Sequence, residues 1–152
     1  MERGNTNWCQ SVAAVCIRDG KVLLARHTYG SGKGLLIIPG GYLENGELPQ
    51  DAVKREFIEE VNVKIEPTEI IGIRFNSRDW YVVFKAEYVS GDAMSDGDEN
   101  NEVLWVDINE ALNRDDVPDL TKKMIENAVK DSGFAEQQYI GKNPPYSLYG
   151  AK

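Results

Sequence analysis

The sequence has few cysteines and few basic residues, and it has no long apolar run. Cys9 and Cys16 are its only cysteines, which excludes a disulfide-stabilised scaffold and a Cys-x-x-Cys metal or redox site. The 17 Lys and Arg residues against 25 Asp and Glu give a net charge of −8, which disfavours binding to a nucleic-acid polymer. No apolar run is long enough for a membrane span, and the polar start lacks the shape of a signal peptide. We therefore expect a cytoplasmic protein without a membrane partner.

The composition is that of an ordinary globular domain, with 41% hydrophobic and 28% charged residues in a chain of 152. Strand patterns come first, one helix pattern interrupts them, and further strands and a final helix follow. This order predicts an α/β fold in which a mixed β-sheet carries helices on both faces. We place the domain at residues 1–133 and treat 134–152 as an aromatic C-terminal tail that is not an independent domain.

Local patterns predict the positions of the main elements. Two apolar runs around Asp19-Gly20 predict a β-hairpin over 11–26. Val53, Phe57 and Val61 recur every four residues, so 49–61 is predicted to be a helix that begins at a proline. A second helix is predicted over 121–132 with Gly133 as its stop, and Asp107 is predicted to cap a short helix. Further strands are predicted at 35–38, 63–65, 69–74, 80–89 and 102–106.

Three glutamates of the 49–61 helix fall within one arc of about 100°, because successive residues are separated by about 100° around the axis. These glutamates are Glu56, Glu59 and Glu60. Like charges at this spacing oppose helix formation by about 0.2–0.5 kcal/mol per pair. A hard divalent cation would neutralise them, whereas the alternative interpretation is an ordinary solvated helix face.

The stretch 41–63 resembles the signature of the Nudix hydrolases, which is Gly, five residues, Glu, seven residues, and then Arg-Glu-apolar-x-Glu-Glu-x-Gly-apolar. The matching residues are Gly41, Glu47, Arg55, Glu56, Phe57, Glu59, Glu60 and Val63. Six fixed identities coincide by chance in roughly one window in ten million, so the resemblance outweighs the solvated-face interpretation. Asn62 stands where the family has glycine, and Asn is the next best residue for a left-handed helix end.

The resemblance implies a Nudix-type α/β/α sandwich. It also implies hydrolysis of a pyrophosphate linkage in a nucleoside diphosphate or polyphosphate derivative, with Mg²⁺ or Mn²⁺ as cofactor. Glu56, Glu59 and Glu60 would be the metal ligands, and Glu47 would pair with Arg55. Gly40 and Gly41 would let the backbone approach the metal or the phosphate. The alternative is a catalytically silent Nudix-fold nucleotide sensor, which the intact glutamate set disfavours.

Residues outside the signature complete the candidate site. Relatives often use a further glutamate from a loop near the final strand, and Glu99 and Glu102 are the candidates, with Glu102 preferred. Arg26, Arg74 and Arg78 are candidate phosphate contacts, with a solvated surface role as the alternative for each. His27 is either a loop residue or a general base.

Aromatic residues are the candidates for contact with the nucleotide base. Trp80 and Tyr81 are adjacent in a strand, so only one of them can face the metal-bearing helix, unless both are ordinary strand aromatics. Tyr81 lies in about the place where dinucleoside-polyphosphate hydrolases carry a tyrosine. We therefore expect a small-molecule nucleoside di- or polyphosphate derivative to be preferred over an ADP-sugar. The tail tyrosines would stack on a base, pack on the domain or meet a partner subunit in a homodimer.

Overall fold

The structure is a computed structural model that describes residues 9–130, 132–142 and 144–152. These residues form nine strands and three helices. The strands are β1 (Cys9–Arg18), β2 (Lys21–His27), β3 (Leu36–Ile37), β4 (Gly40–Tyr42), β5 (Lys64–Phe75), β6 (Asp79–Ser90), β7 (Asn100–Asp107), β8 (Phe134–Gln137) and β9 (Leu148–Ala151). The helices are α1 (Pro49–Val61), α2 (Ile108–Asn113) and α3 (Asp119–Val129). The polar start of the chain, residues 1–8, lies outside the described residues.

Strand β1 organises a mixed sheet. One edge of β1 runs parallel to β6, and its other edge pairs antiparallel with two different strands. Near its start, Ser11 lies opposite Tyr42 of β4, and near its end, Ile17 lies opposite Val22 of β2. Along this edge, β1 therefore pairs with β4 near its start and with β2 near its end. In the chain, β4 is followed by α1.

Alternate side chains of β1 point to two hydrophobic clusters, one on each face of the sheet. Val12 and Ala14 belong to the cluster that contains Val53, Phe57 and Val61 of α1. The intervening residues of β1 belong to the cluster formed with α2 and α3. The three apolar residues of α1 are fully buried, and burial of each contributes about 1.5–3 kcal/mol. The predicted mixed sheet with helices on both faces is thus confirmed.

Several local predictions are confirmed at residue level. Helix α1 covers the predicted range with Pro49 in its first turn, and Asn62 follows it in the left-handed conformation, with φ 60° and ψ 34°. The β1–β2 turn places Asp19 at φ 52° and Gly20 at φ 75°, as an Asp-Gly hairpin turn requires. The carboxylate of Asp107 accepts the N–H groups of Asn109 and Glu110 and so caps α2.

The structure differs from the sequence predictions in two elements. The predicted strands at 63–65 and 69–74 are not separate, because β5 runs without a break from Lys64 to Phe75 and has bulges against β6. Helix α3 begins earlier than predicted and ends at Val129, so Gly133 is not its stop. Gly133 instead lies against β5, where an added Cβ would be 2.7 Å from Oε2 of Glu69 and 3.1 Å from the oxygen of Ile70. Asp131, within the predicted last turn, lies outside the described residues.

The aromatic tail adds two strands to the same sheet. Phe134 of β8 lies opposite Ile70 of β5, and β9 pairs antiparallel with β8. The ring of Tyr149 meets that of Phe84 edge to face, with ring centroids 5.6 Å apart. In the described parts of the chain, no helix combines the length and the apolar character needed to span a membrane.

Candidate functional site

Helix α1 and the loop before β7 bring three carboxylates together. Glu56 and Glu60 lie one turn apart on α1 and are only 9% and 7% exposed. Glu99 comes from the loop that precedes β7 and is exposed. One carboxylate oxygen from each of these residues can be chosen so that all three lie within 4.8 Å of one another. Oxygen ligands at this separation form a candidate site for a hard cation.

Two glycines of β4 lie directly against these carboxylates. The N–H of Gly40 donates to Oε2 of Glu60 at 3.2 Å. A Cβ on Gly41 would lie 2.4 Å from the carboxyl carbon of Glu56, and a Cβ on Gly40 would lie 2.0 Å from the oxygen of Val12. Any side chain at either position would collide with its surroundings. Gly41 therefore lets the backbone of β4 approach the carboxylate of Glu56, whereas Gly40 lets β4 pack closely against β1.

Arg55 connects the loop after β4 to α1. Its Nε and Nη2 atoms donate to the two carboxylate oxygens of Glu47, each at 2.8 Å, and Nη2 also donates to the main-chain oxygen of Tyr42 at 3.0 Å. Nη1 donates to Oε1 of Glu56 at 3.0 Å and to Oε2 of Glu59 at 3.2 Å. The hydrogen bonds from Arg55 lower the pKa of Glu47. The expected Glu47–Arg55 ion pair is thus present, and the same guanidinium orients Glu56.

Burial and mutual repulsion perturb the carboxylate cluster. Burial, followed by the hydrogen bond with Glu99, raises the pKa of Glu60 to about 9. Burial also raises the pKa of Glu56, although Arg55 opposes this shift. A bound divalent cation would oppose both shifts, because its positive charge favours the ionised carboxylates. The donor set, which consists of oxygen atoms alone, fits Mg²⁺ or Mn²⁺.

A cavity of about 260 Å³ opens over the carboxylates, and three tyrosines line it. Tyr29 and Tyr42 are 56% and 64% exposed, whereas Tyr81 lies deeper in the cavity. The ring of His27 stacks on that of Tyr29, with centroids 6.2 Å apart and planes 17° apart. Burial lowers the pKa of His27. The cavity therefore presents carboxylates on one wall and aromatic faces near its mouth.

Comparison of the chain with a family model, with related sequences and with solved structures identifies its family. The family model described as "NUDIX domain" matches residues 9–128. The chain belongs to the Nudix hydrolase family. Nudix relatives include the NAD-capped RNA hydrolase NudC of Vibrio atlanticus, which is 30% identical over 130 residues, 79% of this chain and 46% of the relative. The MutT-like protein of Streptomyces ambofaciens is 34% identical over 107 residues, 68% of this chain and 67% of the relative.

The fold comparison agrees with the sequence comparison. The crystal structure of a Nudix hydrolase from Nitrosomonas europaea is similar to this Nudix domain, with a TM-score of 0.70 and 25% identity. The similarity covers 79% of this chain and 71% of that structure. The chain spans about half the length of the NudC relatives that it matches.

Some of the residues expected in the Nudix site lie outside its carboxylate cavity. Glu102 does not join the cluster, because it accepts a hydrogen bond from Nε of Arg26 at 2.8 Å. Arg26 also donates to the oxygen of Gly34 at 2.9 Å and to Asp116 at 3.1 Å, so its guanidinium is occupied by a structural network. Arg78 is exposed, and its main chain holds the β5–β6 turn by donating to Oδ1 of Asn76 at 2.8 Å.

Trp80 and Tyr81 line different cavities, as their alternation along β6 predicts. Tyr81 lines the Nudix carboxylate cavity, and the guanidinium of Arg74 lies 5.3 Å from the centroid of its ring. Trp80 instead lines a cavity of about 300 Å³ that also includes Glu47 and Pro49. The exposed tyrosines Tyr29 and Tyr42 were not predicted from the sequence, because no spacing rule connects the glycine-rich loop to β4.

Proposed function

We propose that this protein hydrolyses a pyrophosphate linkage in a nucleoside diphosphate or polyphosphate derivative. The main support for the proposal is the cluster of Glu56, Glu60 and Glu99 at the wall of a cavity. One carboxylate oxygen from each of them lies within 4.8 Å of the other two. Membership of the Nudix hydrolase family supports this reaction type, as does the similarity to NudC, which is an NAD-capped RNA hydrolase. A small-molecule nucleotide partner and a cytoplasmic location belong to the same proposal.

We propose Mg²⁺ or Mn²⁺ as the cofactor and Glu56, Glu60 and Glu99 as the residues that hold it. When bound, such a cation neutralises the phosphates and makes a bound water a stronger nucleophile. Glu59 was expected as a ligand from the family resemblance. Its exposed carboxylate pairs with Arg55 at 3.2 Å, so we propose that Glu59 supports the network that orients Glu56.

The remaining residues of the cavity would bind and orient the substrate. Gly40 and Gly41 keep the backbone of β4 close to the carboxylates, so this backbone would lie beside a diphosphate bound there. Tyr29 and Tyr42 present exposed rings at the mouth, where a nucleobase can stack on either of them. The Glu47–Arg55 pair would hold the loop between β4 and α1 in place during turnover.

A metal-supplemented substrate screen tests the proposal. The panel contains a nucleoside triphosphate, a diadenosine polyphosphate, ADP-ribose and NAD, and the products are identified by chromatography and mass spectrometry. We expect cleavage at a pyrophosphate linkage that requires Mg²⁺ or Mn²⁺ and stops with EDTA. Glu60→Gln should lower kcat by about 100-fold or more.

The matched control is Glu87→Gln, which removes one exposed negative charge on β6 away from the cavity. This variant should retain wild-type kinetics. Binding of these nucleotides without turnover at any metal concentration would favour the nucleotide-sensor alternative and contradict the hydrolase proposal.

A further inference from the structure

A second cavity of about 450 Å³ adjoins the carboxylate cavity. The two cavities share four lining residues, which are Ser11, His27, Tyr42 and Tyr81. A ligand bound at the carboxylates can therefore continue into the second cavity, whose volume is within the range that binds small molecules. The first turn of α3 forms part of its wall through Leu120 and Thr121.

Two charged side chains line the second cavity, and they neutralise each other. Nη2 of Arg74 donates to Oδ2 of Asp79 at 3.2 Å, and the hydroxyl of Ser11 donates to the same carboxylate at 2.9 Å. Burial lowers the pKa of His27, which favours the neutral imidazole. The second cavity is therefore better suited to an uncharged polar group than to a phosphate.

Thr121 presents an unpaired hydroxyl to the second cavity. The residue is only 3% exposed, and none of the described residues forms a hydrogen bond with its side chain. The hydroxyl oxygen is not closed off inside the protein, in contrast to Nη1 of Arg74. Since Thr121 lines the second cavity, its hydroxyl opens into that cavity. A nearly buried hydroxyl has few water neighbours, so a ligand that hydrogen-bonds to it gains affinity there.

The start of α3 places main-chain donors beside Thr121. Pro118 precedes the helix, and no side chain of the described residues caps it, so the N–H groups of the first turn have no partner within the helix. Asp119 belongs to the same turn, but it is exposed and does not line the cavity. Its negative charge already compensates the positive end of the helix dipole, which favours a neutral acceptor over a second anion.

We propose that the second cavity binds the ribose of the nucleotide substrate and that Thr121 forms a hydrogen bond with one of the ribose hydroxyl groups. This inference rests on the proposed hydrolysis of a nucleoside diphosphate derivative and specifies how its sugar is recognised. The carboxylates and their cation account for the phosphates, and the exposed tyrosines account for the base. The ribose is the remaining part of the substrate. It is uncharged, and each of its hydroxyl groups donates and accepts hydrogen bonds, as the hydroxyl of Thr121 does.

The position of Tyr42 agrees with this assignment. Tyr42 lines both cavities, so a base stacked on its ring would hold the attached ribose at the boundary between them. The main-chain N–H groups at the start of α3 would offer further donors to the ribose oxygens. Thr121 is therefore proposed as a specificity residue that acts on the sugar and not on the reacting phosphates.

The test compares a ribonucleotide with its 2′-deoxy and 3′-deoxy forms, using the base whose monophosphate the wild type binds most tightly. A monophosphate has no pyrophosphate linkage, so calorimetry with Mg²⁺ gives Kd without turnover, and the triphosphates give KM. For the wild type, one of the two deoxy forms should have a Kd and a KM about 3- to 10-fold higher than the ribo form. Thr121→Val, which keeps the shape without the hydroxyl, should reduce these ratios to near one. Thr121→Ser should retain them.

The control variant Ser90→Ala removes an exposed hydroxyl on β6 and should keep the wild-type ratios. Circular dichroism and thermal melting check that each variant is folded, and Thr121→Ala provides a second variant without the hydroxyl. Equal Kd and equal KM for all three sugars in the wild type would overturn the inference, and so would undiminished ratios in folded Thr121→Val or Thr121→Ala. Absence of turnover on every substrate would refute the proposed hydrolysis instead, and the Kd ratios would still decide the role of Thr121.

Discussion

The side-chain amide of Asn100 donates a hydrogen bond to the main-chain oxygen of Glu60 at 3.0 Å. Asn100 is 2% exposed, and its own N–H donates to Oδ1 of Asp96 at 3.1 Å. Since Glu99 is the preceding residue, this contact ties the loop that carries one carboxylate to the helix that carries the other two. Asn100 therefore positions Glu99 beside α1.

Replacement of Asn100 by alanine should loosen this attachment. The change leaves the buried oxygen of Glu60 without its donor, which costs about 1–3 kcal/mol. For a chain of this size, such a loss corresponds to a fall in Tm of about 2–12 °C, measured by differential scanning calorimetry. Asn101→Ala, at the exposed neighbouring position, is the matched control and should leave Tm within about 1–2 °C of the wild type. Equal Tm values for the two variants would contradict the positioning role.

The contributions of Glu99 and Glu102 can be separated by mutation. Glu99 belongs to the carboxylate cluster, whereas Glu102 lies on β7 and pairs with Arg26 at 2.8 Å. We expect Glu99→Gln to weaken activation by Mg²⁺ and to lower kcat/KM by about tenfold or more, because it replaces a charged carboxylate ligand by a neutral amide. Glu102→Gln should change kcat/KM by less than about threefold, since it alters a partly exposed ion pair. Initial rates over a range of Mg²⁺ concentrations check both, and a larger loss in Glu102→Gln would refute the proposed ligand set.

The sequence favours Glu102 over Glu99, whereas the structure places Glu99 beside Glu56 and Glu60. The reason is that sequence patterns encode local structure better than contacts between distant segments. The ends of helix α1 are encoded locally, by Pro49 at its start and by Asn62 just after it, and both could be predicted. The path of the loop before β7 depends on contacts between residues far apart in the chain. Thr28, for example, donates from its hydroxyl to the oxygen of Asp98 at 2.6 Å. No periodicity in the sequence encodes such a contact.

Gly133 illustrates the same limit for the fold. A glycine after a helix pattern is typical of a helix stop, and the sequence therefore predicts one at Gly133. In the structure, α3 ends at Val129. Gly133 lies so close to Glu69 and Ile70 of β5 that there is no room for a side chain. Close approach to a distant strand and a left-handed helix end both favour glycine, so the residue alone does not distinguish them.

The left-handed conformation of Asn62 predicts a ranking of stability among substitutions at this position. Nδ2 of Asn62 donates to the oxygen of Asp92 at 3.0 Å, so Asn62→Gly relieves backbone strain but loses a hydrogen bond and should be nearly neutral. Asn62→Val loses the same bond and adds strain of about 1–2 kcal/mol, and it should lower Tm by about 4–8 °C. Asn62→Ala should fall between them. The three Tm values check the order, and wild-type stability of Asn62→Val would contradict it.

Asp116 should make a pH-dependent contribution to stability. Arg114 holds its carboxylate with two hydrogen bonds, at 2.8 and 2.9 Å, and Arg26 adds a third at 3.1 Å. The bonds from Arg114, followed by that from Arg26, hold the pKa of Asp116 well below its ordinary value of about 3.9. A carboxylate whose pKa is lower in the folded protein than in the unfolded chain stabilises the folded state. This stabilisation is complete at pH values above the pKa in the unfolded chain, and it is lost as the pH falls to the pKa in the folded protein.

Thermal melts of the wild type and Asp116→Asn should therefore differ by a constant amount between pH 7 and pH 5. The difference should shrink as the pH falls below about 4, because the aspartate of the unfolded chain becomes protonated there. Asp115→Asn, at the exposed neighbouring position, controls for the loss of one negative charge and should show no such change. A difference between wild type and Asp116→Asn that stayed constant down to pH 2.5 would exclude the carboxylate–arginine network as its source.

The exposed tyrosines at the mouth of the cavity should determine nucleotide affinity rather than the rate of the chemical step. Tyr29 and Tyr42 line the same cavity as Glu56 and Glu60, yet more than half of each tyrosine is exposed. Stacking of a base on an aromatic side chain contributes about 1–3 kcal/mol, so alanine at the tyrosine that stacks should raise KM by roughly 5- to 150-fold. The value of kcat should change much less, because binding common to the ground state and the transition state is lost.

The measurement is steady-state kinetics of Tyr29→Ala and Tyr42→Ala on the best substrate of the screen. Tyr139→Ala, an exposed tyrosine in the tail, is the matched control and should leave KM unchanged. The phenylalanine variants should retain most of the affinity, since the ring stacks and the hydroxyl is not needed for stacking. If both alanine variants kept the wild-type KM, the base would have to bind elsewhere, and the cavity of Trp80 next to Glu47 would become the favoured position.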